Sequence, residues 1–126
     1  MRIEHIALWT SDIEVLRSFY CRHFGCVAGD LYENPNKGFR SYFLRFTDGA
    51  RFEIMQKNGL TKRTEQPALG LAHFAISVGS ELKVVELTNQ FRNDGIRVAS
   101  EPRRTGDGYF ESVVLDPDGN PIEITS

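Results

Sequence analysis

The stretches IEHIALWTSDIE (residues 3–14) and LAHFAISVGSEL (residues 71–82) open alike, and their likeness decides the fold. Each is a short apolar run carrying one histidine, His5 or His73, followed by a segment with helical spacing. Ile13, Leu16, Tyr20 and Phe24 recur at helical intervals within residues 11–24, and Ser11 with Glu14 makes a capping-box pattern at the start. Val84, Leu87 and Phe91 do the same within residues 80–94. Gly25 and Gly95 then stand where a helix end favours a left-handed residue. Asp48-Gly49 precedes Glu53-Ile54, and Asp118-Gly119 precedes Glu123-Ile124. The offset between copies holds at 68 to 70 residues across these landmarks, which marks an internal repeat.

Each copy reads strand, helix, then three strands. The later strands are expected at 27–33, 40–47 and 51–56 in the first copy, and at 96–100, 109–115 and 121–125 in the second. The expected fold is therefore α+β: two βαβββ modules, residues 1–57 and 70–126, with mostly antiparallel pairing. The polar segment 58–69, which carries Gly59 and Pro67, reads as a linker inside one domain spanning 1–126.

Composition narrows the function classes. The 126 residues carry 40% hydrophobic and 25% charged residues, ordinary for a globular chain. A net charge of −2 supplies no basic field for nucleic acid or an anionic membrane. No apolar run reaches the roughly 20 residues of a membrane span. The start, MRIEHIALW, lacks a signal peptide's apolar stretch, so a cytoplasmic protein with Cys21 and Cys26 as reduced thiols is expected. No nucleophile triad and no glycine-rich phosphate loop is present.

Strand parity locates the candidate chemistry. Alternate residues face opposite sides of a sheet. Ile6 and Leu8 oppose His5, Ala7 and Trp9, while Phe74 and Ile76 oppose His73, Ala75 and Ser77. Phe52 and Ile54 likewise oppose Glu53, and Ile122 and Ile124 oppose Glu123. If the apolar sets cover the helices, both histidines and both glutamates project from the opposite faces. Taken singly, each is most simply a packed or solvated residue; four at matching repeat positions form a ligand set. Two imidazoles and two carboxylates suit a divalent transition metal such as Zn, Ni, Co or Mn with positions left open. By the same parity Trp9, Phe43, Arg45, Tyr109, Glu111 and Val113 share those faces and are candidates to contact a small-molecule substrate. The segment EPRRTGDGY (101–109) reads as a charged flap whose Arg103 or Arg104 suits an anionic substrate.

The motifs EHIAL (4–8), SFYCRHFG (18–25), FEI (52–54), LAHFAISV (71–78) and VLDPDGNPIEI (114–124) resemble the vicinal oxygen chelate superfamily, on the side of glyoxalase I. The resemblance covers essentially the whole chain. It implies that the first and fourth strands of each module are adjacent, with His5, Glu53, His73 and Glu123 as metal ligands. It also implies a homodimer, and a lyase or isomerase acting on a small 2-oxo compound or its thiol adduct through a metal-stabilised enediolate. Glu123 is then the ligand that moves protons, and Glu53 the steadier ligand.

Two positions depart from the glutathione-dependent pattern. Trp9 stands where an arginine grips the thiol's carboxylate, and Lys57 where an asparagine helps, with Asn58 one step later. Losing a charge-assisted anchor costs on the order of 1.5–3 kcal/mol, at least tenfold in affinity. The resemblance thus implies the metal without implying glutathione. The same fold also serves as a metal-free binder that sequesters antibiotics, and as Fe(II) dioxygenases or thiol transferases. The retained four-residue ligand set weighs against the binder, and Glu53, an extra carboxylate, against the dioxygenase.

Overall fold

The structure, a computed structural model, describes residues 1–63 and 69–126. Residues 64–68 of the expected linker lie outside the described residues. The chain divides into two compact units, Met1–Arg63 and Thr64–Ser126. The first contains β1 (His5–Trp9), α1 (Ile13–Phe24), β2 (Val27–Ala28), β3 (Tyr32–Asn34), a short 3-10 helix (Pro35–Lys37), β4 (Phe39–Arg45) and β5 (Arg51–Lys57). The second contains β6 (Phe74–Ser77), α2 (Glu81–Asn93), β7 (Val98–Arg104), β8 (Phe110–Leu115) and β9 (Pro121–Thr125).

Each unit is one mixed sheet with one helix on it. In the first the order is β1-β5-β4-β2, with β3 also on β4; in the second it is β6-β9-β8-β7. The first and last strands of each unit pair in parallel, and the remaining pairs are antiparallel. The repeat extends to single hydrogen bonds: Thr10 N–H donates to Met55 O at 2.8 Å, and Val78 N–H to Thr125 O at 2.8 Å. Both bonds prolong the parallel pair by one rung.

The helices sit on the apolar faces that parity indicates. Leu8, Ile13, Leu16, Tyr20, Leu44, Phe52 and Ile54 form the first core. Val84, Phe91, Val114, Ile122 and Ile124 form the second, and burying each such side chain stabilises by about 1.5–3 kcal/mol. Two buried hydroxyls in the second core satisfy each other: Thr88 Oγ1 donates to Val84 O at 2.6 Å and lies 2.7 Å from Ser112 Oγ. Free Cys21 and Cys26 bracket the Gly25 cap with their sulfurs 3.7 Å apart. Burial, reinforced by Cys21, pushes the Cys26 thiol up to about 12.

Three local expectations are corrected. Asp12, not Ser11, caps α1: its Oδ1 accepts from Glu14 N–H at 3.0 Å and Val15 N–H at 3.1 Å. The strand expected at 27–33 is broken into β2 and β3 at Gly29, although Gly29 N–H still donates to Phe43 O at 2.9 Å. The flap expected at 101–109 is strand through Arg104, because β7 runs on that far, and only 105–109 form a turn before β8. Pro102 is tolerated there because β7 is an edge strand and its pairing shifts register between Ser100 and Arg103.

Candidate functional site

In the first unit His5 faces Arg51 across the β1–β5 pair, and Ala7 faces Glu53. His5 and Glu53 therefore lie on one face, diagonal across two parallel strands. In the second unit Ala75 faces Glu123 in the β6–β9 pair, and His73 precedes β6 by one residue. His73 and Glu123 thus stand on the same diagonal. Burial agrees with this orientation: Phe52, Ile54, Ile122 and Ile124 are buried, whereas both histidines are exposed and both glutamates half-buried.

The two histidine–glutamate pairs differ in detail. His73 Nε2 lies 3.2 Å from Glu123 Oε2, with the imidazole 45% and the carboxylate 20% exposed. Two donors already meet there on a solvent-reachable face. His5 instead turns Nδ1 toward Glu4, donating to Oε2 at 2.5 Å. The bond from His5 holds Glu4 below its ordinary carboxylate value of 4.5; burial opposes this and an ion pair with Arg51 adds to it. The His5 ring meets Phe43 edge-on at 5.5 Å, and the Arg51 guanidinium lies over the same ring at 4.2 Å.

Each unit offers one imidazole and one carboxylate, donor types that suit a divalent ion. Among the described residues no group of three or more His, Cys, Asp or Glu is gathered closely enough to hold a metal by itself. Of the substrate candidates, Phe43 pairs with Glu53, so it shares the face of His5 and Glu53, and Arg45 lies on it at an exposed position. Trp9 is 47% exposed on the same face and packs edge-on against Phe39 at 6.2 Å, with Tyr32 beyond Phe39 at 6.1 Å. Phe39 and Tyr32 are not evident from sequence, because the alternation 39, 41, 43, 45 includes Phe39 only when β4 begins there, one residue before the expected start.

In the second unit Val113 pairs with Glu123, which puts Val113, Glu111 and Tyr109 on one parity. Glu111 is only 9% exposed and lies 3.5 Å from Arg103 Nη2, whose Nε donates to Ser100 Oγ at 3.2 Å. Tyr109 is exposed, and its carbonyl accepts from Thr105 N–H at 2.8 Å to close the β7–β8 turn. Arg104 lies on the helix side: it pairs with Glu81 in the first turn of α2, donates to Gly108 O at 2.9 Å and lies 5.8 Å from the Phe110 ring. The structure does not bring it to the His73–Glu123 face.

Two mixed sheets, each with a parallel outer pair and a helix on one face, define a duplicated α+β protein with ligand-type residues on the opposite faces. The profile of the Glyoxalase/Bleomycin resistance protein/Dioxygenase superfamily matches residues 2–124, and the chain belongs to that superfamily. It is similar to the Bacillus subtilis protein YwkD, whose role is uncharacterised, with 30% identity over 97% of this chain and 94% of the relative. A glyoxalase family protein from Enterococcus faecalis superposes with a TM-score of 0.82 at 25% identity, over 98% of this chain and 96% of the other. Glyoxalase I from Zea mays superposes with a TM-score of 0.81 at 23% identity, a likeness of fold. This chain is covered to 98% in that match and spans 44% of the maize protein's length. Among the described residues no helix is long and apolar enough to cross a membrane.

Proposed function

We propose that the protein is a cytoplasmic, homodimeric, metal-dependent lyase or isomerase acting on a small 2-oxo compound or its thiol adduct. His5, Glu53, His73 and Glu123 together hold one divalent ion, Zn, Ni, Co or Mn. The observation that carries this reading is the repeated diagonal. Both units use the same register to put one imidazole and one carboxylate on the face opposite the helix, and in the second unit the two meet at 3.2 Å.

When bound, the ion supplies Lewis acidity toward oxygens on neighbouring carbons, lowering the pKa of the adjacent C–H. The chain's own residues do the rest. Glu123, partly exposed beside His73, accepts a proton from the carbon next to the carbonyl and returns it to the neighbouring carbon. Glu53, between Ala7 and Phe43 on the sheet, serves as the steadier donor. Trp9 and Phe43 offer an apolar wall, and Arg45 and Arg103 the cations on the two faces. Trp9 and Lys57 in place of polar thiol anchors favour a substrate other than the glutathione adduct.

The test is metal per chain in protein purified without chelators, beside His5→Ala and Glu123→Gln, followed by turnover of 2-oxo aldehydes with several thiols. Near-stoichiometric metal that falls in both variants is expected, with Glu123→Gln also losing about 10²–10⁴-fold in rate if it is the base. Wild-type protein that takes up no divalent ion on reconstitution overturns the reading.

A further inference from the structure

The two half-sites are built from equivalent positions but are not equivalently supported, and the difference lies around His5. Glu4, His5, Phe43 and Arg51 form a closed cycle. His5 Nδ1 meets Glu4 Oε2 at 2.5 Å, the His5 ring meets Phe43 at 5.5 Å, and Arg51 covers Phe43 at 4.2 Å and returns to pair with Glu4. Arg51 N–H also donates to Glu4 O at 3.0 Å, which fixes the backbone beneath the pair. At the repeat-equivalent positions of the second unit stand Ala72, Val113 and Pro121, none of which can donate to or accept from an imidazole through its side chain.

A carboxylate only accepts, so the proton of a neutral His5 ring sits on Nδ1 and the lone pair on Nε2. His73 has the opposite arrangement, with Nε2 facing Glu123. Resting on the metal reading above, we propose that Glu4 is a positioning residue. Held by Arg51, it locks His5 with Nε2 bare and makes the first unit the preorganised, anchoring half of the metal site. The second unit is then the adaptable half, in which the His73 proton must move from Nε2 to Nδ1 to bare Nε2 for a metal, and Glu123 keeps the freedom a base needs.

The experiment reads the histidine ring nitrogens by long-range proton–nitrogen NMR on metal-free protein at about pH 8, where imidazole is mostly neutral. Zinc affinity is measured in parallel by competition with a chromophoric chelator. Wild type is expected to show His5 protonated on Nδ1 and His73 on Nε2. Glu4→Ala is expected to shift the His5 tautomer toward Nε2–H and to weaken zinc about tenfold or more. Glu4→Gln, whose amide oxygen still accepts, should fall between, and Arg51→Leu should weaken zinc in the same direction. His5 protonated on Nε2 in wild type, or a Glu4→Ala variant with unchanged tautomer and zinc affinity within twofold, overturns the proposal. If wild type binds no zinc while His5 keeps Nδ1–H, the metal reading and the anchoring role fall together and only the imidazole lock stands.

Discussion

Glu14 shows how much one side chain on the helix face can tie together. Its carboxylate accepts from Tyr42 Oη at 2.9 Å and Arg17 Nε at 2.9 Å, with Arg40 Nη2 at 3.7 Å. The bond from Tyr42, then that from Arg17, holds Glu14 below its ordinary value of 4.5 against the opposing effect of burial. A depressed carboxylate contributes stability that is present above its unfolded pKa and lost as pH falls through the folded one. Wild type should therefore lose more thermal stability than Glu14→Gln between about pH 5 and about pH 3. Because the side chain is 46% exposed, the difference should stay below about 1 kcal/mol. Parallel melting curves at the two pH values check this, and equal losses in the two proteins would remove Glu14 from the acid response.

At the scale of elements, what the sequence made legible followed from period and parity. The apolar alternation in HIALW and FAIS placed β1 and β6, and the left-handed Gly25 and Gly95 marked the helix ends. Gly95 N–H donates to Arg92 O and Ile96 N–H to Phe91 O, the Schellman pattern expected of such an end. The cap of α1 is ambiguous in the sequence because Ser11 and Asp12 are both good caps and only backbone geometry chooses between them. Asp12 has the extended conformation and the bonds, so Asp12→Ala should cost about 0.5–2 kcal/mol in urea unfolding, and Ser11→Ala less. The extension of β7 through Pro102 was hidden for another reason: proline argues against a central strand, and edge position is a property of the assembled sheet. The cycle around His5 was equally invisible, since the partners Glu4 and Arg51 meet only through the β1–β5 register.

At the scale of the molecule, the proposed four-ligand centre poses the question of whether its two histidine–glutamate pairs come from one chain or from two. Each unit carries its own core and one imidazole–carboxylate pair, so a four-ligand centre needs one first unit and one second unit, from one chain or from two. A complementation experiment separates these. One variant carries His5→Ala and Glu53→Gln; the other carries His73→Ala and Glu123→Gln. Each alone should bind no metal under either arrangement. Suppose they are mixed, unfolded together and refolded. If sites join units from partner chains, each mixed dimer holds one centre with all four ligands and one with none. Random pairing then restores roughly a quarter of the wild-type metal and turnover. If each site is closed within its own chain, every centre lacks two ligands and mixing restores nothing. Recovery that scales with the mixed-dimer fraction across different input ratios would show a shared site, and its absence in confirmed mixed dimers would assign the site to the single chain. The His5 lock adds an order to the result: in a shared site, Glu4→Ala should reduce the recovered metal when placed on the chain whose first unit is intact and have no effect on the other.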